Sequence, residues 1–211
     1  MAEARSVTTF VMENRLPWPE DGAGAEFNGP FDAGVVYHAD QRRDCSIRRI
    51  SPLGVTLRGD VAKTLGEEVA IELANGQRPA GTVDWVSAGE AGVIFKQPVD
   101  MLALINRQLV AQPAERRAMP RVELRSRLHV KWCGNLAPAT LRNISAGGLQ
   151  VEGEDLPPHG TFISVYIEGL NVPAGEVVWR KDNLAGIELM EELSWSSIIP
   201  WIREVSRQEI R

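Results

Sequence analysis

Cysteine is nearly absent: Cys45 and Cys133 are the only two among 211 residues. Two are too few for a disulfide framework, and no C-x-x-C spacing suggests a metal or redox pair, so reduced thiols are expected. Histidine is scarce as well. His38, His129 and His159 are scattered and share no metal-ligand spacing; His159, beside Pro157-Pro158, reads as a solvated turn residue. No Gly-x-Ser-x-Gly elbow, Walker-type loop or Gly-x-Gly-x-x-Gly turn follows a strand pattern, so neither catalysis nor a cofactor is expected. Long hydrophobic runs are missing too. No stretch approaches the ~20 apolar residues of a membrane helix, and Met1 to Met12 lacks the continuous apolar core of a secretion signal, so a cytoplasmic protein is expected. Positive charge is in deficit, with 23 Lys and Arg against 28 Asp and Glu for a net −5. That argues against wholesale binding to nucleic acid or anionic membrane, so any basic site must be local. What remains is an ordinary globular composition, long enough for one large domain or two of about 100 residues.

What the sequence does contain is a repeat. Sliding the chain by 94 positions, the step from Trp85 to Trp179, gives a gapless match. Arg48, Ile50, Ser51 and Gly54 fall on Arg142, Ile144, Ser145 and Gly148. Pro79-Ala80-Gly81-x-Val83-x-Trp85 falls on Pro173-Ala174-Gly175-x-Val177-x-Trp179, and Ala91-Gly92 on Ala185-Gly186. Intervening apolar positions agree in type, as Val69, Ile71 and Leu73 do with Ile163, Val165 and Ile167. Two copies of one domain follow.

Each copy reads as short alternating strands punctuated by glycine or Asn-Gly, the pattern of a sandwich or small barrel. Each then ends in a segment with helical spacing: Met101, Leu102, Ile105 and Leu109 in the first, Trp195, Ile198, Ile202 and Val205 in the second, where Pro200 predicts a kink or restart. Such stripes fit a lid on the barrel or a domain interface. Trp85 and Trp179 read as core residues. Residues 1–28, rich in Glu, Gly and Pro, read as a flexible arm; the first copy spans 29–111, a linker and arginine-rich loop 112–121, and the second copy 122–211.

Two stretches carry chemistry. Arg116-Arg117-Ala118-Met119-Pro120-Arg121 puts three guanidinium groups on a segment that Pro120 keeps out of helix. Asn143-Ile144-Ser145-Ala146-Gly147-Gly148 is a polar turn between apolar runs. Arginine's planar fork fits phosphate oxygens two at a time, fits the O6/N7 edge of guanine, and stacks on purines. Asn143 offers a donor and an acceptor and Ser145 a hydroxyl. Gly147 and Gly148 either admit close backbone approach to a ligand or supply the positive φ of a tight turn. Singly, these residues are common on solvated surfaces and turns; together they suggest one anionic-nucleotide site at the interdomain hinge. The like charges of Glu115–Arg121 predict a mobile loop that an anionic ligand orders.

Arg117-x-x-x-Arg121 followed by Asn143-x-Ser145-x-x-Gly148 resembles the two-part motif of the PilZ family, six-stranded barrels that bind cyclic di-GMP. The resemblance spans about Glu115 to Arg211 and, through the repeat, a first copy. It implies a mainly β chain of two tandem PilZ-type barrels, each followed by a helix. It also assigns Arg117 and Arg121 to the ligand's guanines and phosphates, Asn143, Ser145 and Gly148 to a guanine against the barrel, and Arg116 to binding of a stacked ligand dimer. The first copy departs from the motif: the 94-residue step sets Ala23 opposite Arg117, Phe27 opposite Arg121 and Arg49 opposite Asn143. It should bind the dinucleotide poorly and serve for docking, with Arg42, Arg43, Arg48 and Arg49 as a second basic group, solvated by default. The expected protein is a non-enzymatic cyclic di-GMP receptor that signals to a protein partner through its interdomain arrangement. The alternatives are a ligand-independent interaction scaffold and, third, a nucleic-acid binder.

Overall fold

The computed structural model describes residues 7–19, 31–39, 41–59, 61, 64–111 and 120–208. The chain divides into two compact units, Met1–Arg121 and Val122–Arg211.

The first unit holds β1 (Thr9–Val11), β2 (Asp32–His38), β3 (Gln41–Ser51), β4 (Gly54–Arg58), β5 (Glu68–Glu72), β6 (Ala80–Ser87), β7 (Glu90–Phe95) and α1 (Met101–Ala111). Strand β2 pairs with β3, β3 with β4, β4 with β7, β7 with β6, β6 with β5, and β5 again with β2, which closes a six-stranded antiparallel barrel. The second unit repeats this with β8 (Arg121–Trp132), β9 (Asn135–Ser145), β10 (Gly148–Glu152), β11 (Phe162–Ile167), β12 (Gly175–Lys181), β13 (Leu184–Leu189) and α2 (Trp195–Gln208). Its ladder closes in the order β8, β9, β10, β13, β12, β11 and back to β8. Closure pairs the strands on both sides, and β3 runs on past β2 at Arg49 and Ile50. The two-barrel architecture expected from the repeat is present.

Alternation fills each interior. Val36, Ile47, Leu57, Ile71, Val83 and Val93 are buried in the first barrel, and Val130, Leu141, Val151, Val165, Val177 and Ile187, each 94 positions on, in the second. Each such side chain contributes about 1.5–3 kcal/mol by leaving water. Both helices are capped at the same repeat position: Asp100 Oδ1 accepts from the Ala103 amide at 3.1 Å, and Ser194 Oγ from the Ser196 amide at 3.2 Å. Met101, Leu104 and Ile105 of α1 and Ile198, Trp201 and Ile202 of α2 are buried, and Trp201 Nε1 donates to the Glu168 carbonyl at 2.9 Å. Helix α2 continues through Pro200 without a restart, because one proline in the early turns removes a single internal hydrogen bond. Among the described residues no helix is long and apolar enough to cross a membrane. Cys45 is buried and Cys133 exposed; burial pushes the Cys45 thiol up to about 12.

Three expectations are corrected. Residues 7–19 are not a loose arm: β1 pairs in parallel with β3, Thr9 opposite Arg49 and Phe10 opposite Ile50, and Val7, Thr8, Phe10 and Val11 are buried. The rest of the expected arm, 1–6 and 20–28, lies outside the described residues. Second, the paired tryptophans are not core residues. The register shifts between Val83 and Trp85, and again between Val177 and Trp179. This bulge inserts one residue, so each ring leaves the inward face its alternation predicts. The ring lies instead over the cross-strand glycine: a Cβ on Gly92 or Gly186 would collide with Nε1 of Trp85 or Trp179. Trp179 is 40% exposed. Third, Arg48 is not solvated. It is buried and pairs with Glu90 at 2.9 Å, and Arg58 approaches the same carboxylate at 3.3 Å.

Candidate functional site

The second barrel carries the polar turn on the β9–β10 hairpin. Gly148 pairs with Ser145, Leu149 with Ile144, and Gln150 with Asn143. On the other side of β9, Val122 of β8 pairs with Ile144 and Glu123 with Asn143. Arg121, the first residue of β8, directly precedes Val122, so the strand register brings the start of β8 beside Asn143 and Ser145. Arg116 and Arg117, and the linker 112–115, lie outside the described residues.

The polar side chains here are held rather than loose. Asn143 Nδ2 donates to Gln150 Oε1, which fixes the amide plane and leaves its carbonyl oxygen as an acceptor. Ser145 Oγ donates to the Gly148 carbonyl at 3.3 Å. Nearby on the same hairpin Arg142 donates to Glu152 at 2.7 Å, and Asn183 Nδ2 to the other Glu152 oxygen at 3.0 Å. The hydrogen bond from Arg142 holds the Glu152 carboxyl below its ordinary value, with further help from Asn183 and the charge of Arg125. Arg142 sits at a bulge in the β9–β10 register, as its counterpart Arg48 does between β3 and β4.

The glycines resolve into different roles. Neither Gly147 nor Gly148 adopts a positive φ, so that expectation fails. The reason is visible in the first barrel, where Pro52-Leu53 makes the same turn. The Pro52 and Leu53 carbonyls accept from Val99 and Phe95, both at 2.9 Å; those of Ala146 and Gly147 accept from Leu193 and Leu189, at 2.8 and 3.0 Å. Gly148 is required by packing, since a Cβ there would stand 2.6 Å from the Ile187 carbonyl oxygen. Gly147 is required by neither: it is exposed, and a Cβ on it would meet nothing within 4 Å. Its bareness leaves open space on the turn that follows Ser145.

Sequence reasoning missed Gln150 and the Arg142–Glu152 pair. The repeat did flag Arg142, because the Arg48 match survives in a copy that has lost Asn143. No cluster of three or more His, Cys, Asp or Glu able to hold a metal occurs among the described residues.

Residues 115–199 match the PilZ domain family. No curated protein matches the chain. Among solved structures it is similar to the Borreliella burgdorferi PlzA protein in complex with c-di-GMP, at 13% identity and a TM-score of 0.32 over 80% of this chain and 85% of that one. It is similar to the Bacillus subtilis inhibitor of motility MotI/DgrA at 13% identity and 0.33, over 86% and 97%. It is also similar to YcgR from Escherichia coli in complex with c-di-GMP, at 10% and 0.30, over 84% and 86%. The matched stretch contains Arg117, Arg121, Asn143, Ser145 and Gly148, and takes in the second barrel: the family match is to this barrel.

Proposed function

We propose that the protein is a cyclic di-GMP receptor whose second barrel binds the dinucleotide and whose interdomain arrangement responds. Arg116, Arg117 and Arg121 supply forks for phosphate and guanine, with Arg116 allowing a stacked dimer of the ligand. Asn143 and Ser145 hydrogen-bond a guanine lying over the β9–β10 turn, where Gly147 and Gly148 present bare backbone. The observation that carries this reading is Gly147. It is dispensable to a turn that Pro52-Leu53 also makes, and it leaves open space on the turn that joins the strands of Asn143 and Gln150, whose side chains hold each other, within the PilZ match. The protein signals rather than catalyses. Because the arginine segment is contiguous with the linker, neutralising it favours one interdomain arrangement by the ligand's difference in affinity for the alternatives.

Thermal unfolding tests the binding. At a concentration one hundred times its Kd, cyclic di-GMP should add about 2.7 kcal/mol of stability, and linear GMP far less. An unchanged Tm would refute the receptor reading. Unchanged small-angle scattering and proteolysis at saturation would refute the response alone.

A further inference from the structure

The first barrel has the same face as the second, and that face is occupied. The 94-residue step carries Arg49 and Ile50 to Asn143 and Ile144. In the second barrel the seat beside Asn143 and Ile144 is taken by Glu123 and Val122 of β8, running antiparallel. In the first, the seat beside Arg49 and Ile50 is taken by Thr9 and Phe10 of β1, running parallel. The segment that holds this seat lies 40 positions upstream of its partners in the chain.

The segment then crosses the equivalent of the β9–β10 turn. Thr8 Oγ1 donates to the Ile47 carbonyl at 2.7 Å and accepts from the Asp32 amide at 2.7 Å. Leu16 and Pro17 lie on Gly54, the counterpart of Gly148, with Pro17 Cδ 3.4 Å and Leu16 Cδ2 3.5 Å from where a Cβ would stand. Thr56, the counterpart of Gln150, is buried and donates to the Pro17 carbonyl at 2.9 Å. Trp18 meets Trp85 edge-on, with ring centroids 5.8 Å apart at 89°, whereas the equivalent Trp179 is exposed. A strand pairing, an apolar contact, a side-chain hydrogen bond to a backbone carbonyl and an aromatic pair are the elements of extended-peptide recognition.

We propose that this face of the first barrel is a peptide-binding site, and that its ligand is the chain's own segment Val7–Trp18, held in cis. The barrel folds around its β2–β7 ladder, and the segment is a tethered ligand seated on the finished face. A dinucleotide therefore finds this face closed, beyond the loss of the arginine forks and of the asparagine.

Hydrogen exchange on the full-length chain, without dinucleotide, tests this independently of the receptor reading. In the intact protein the amides from Thr8 to Val11 should exchange at least about 100-fold more slowly than in a synthetic peptide of residues 7–19, as local opening requires. Rates within about tenfold of the peptide would overturn the proposal. In the double variant T56V/W18A the same amides should speed up while β4 and β7 keep their protection. Equal loss of protection in β4 and β7 would make the segment an integral strand, and the tethered-ligand proposal would fall.

Discussion

The two barrels share a frame and differ in what they do with one surface. Bulges at Arg48 and Arg142, tryptophan over glycine at Trp85/Gly92 and Trp179/Gly186, and matching turns and caps recur at a constant step. These are features that closing a six-stranded barrel demands. The placement of the paired charges is not constant. The arginine is kept, but its carboxylate moves: in the first barrel it is Glu90 on β7, where the second has Leu184; in the second it is Glu152 on β10, where the first has Arg58. On its β9–β10 hairpin the second barrel presents Asn143, Ser145 and bare Gly147, while in the first Leu16 and Pro17 lie on Gly54 and Trp18 meets Trp85. A duplicated fold thus keeps its closure rules and frees its face for another occupant.

The largest effect should come from the relocated carboxylate. The Glu90 side chain is fully buried against two arginines, so Glu90→Gln leaves Arg48 buried without its charge partner and should cost about 3–5 kcal/mol in chemical denaturation. Glu152→Gln, at a part-exposed pair, should cost much less. Equal losses would show that burial does not distinguish the two pairs.

The two glycines of the β9–β10 turn should separate next. Gly148→Ala drives a Cβ toward a strand carbonyl and should cost about 1–3 kcal/mol, whereas Gly147→Ala should leave stability within about 0.5 kcal/mol. A Gly147→Ala protein that is stable but binds cyclic di-GMP more weakly would sharpen the contrast with Pro52-Leu53. Full binding would remove the reason given for that glycine.

The smallest effect is the pH dependence of the Arg142–Glu152 pair. Because the folded carboxyl lies below its ordinary 4.5, its contribution is fully present above that value and is lost as pH falls through the folded value. The stability gap between the wild type and Glu152→Gln should therefore be constant near neutrality and shrink in acid. A gap that widened in acid would contradict the assigned cause.

Closure was legible in the sequence because it depends on alternation, glycine spacing and the repeat, all local patterns with a fixed period. The polar turn was legible for the same reason. What escaped were properties set by register and by distant chain. One inserted residue turned Trp85 and Trp179 outward. Arg48 looked solvated because its carboxylate lies 42 positions away. Residues 7–19 looked like a loose arm because their partners are Ile47, Arg49, Ile50, Gly54 and Thr56, and nothing in their composition announces a strand. Gly147 needed both copies side by side before its role could be told from that of a turn glycine.

Calorimetric titration of the full-length protein with cyclic di-GMP tests whether the second barrel alone receives the dinucleotide. One liganded face per chain is expected, taking a single dinucleotide or a stacked pair, with binding abolished in the Arg117→Ala/Arg121→Ala protein. Undiminished binding in that double variant would contradict it.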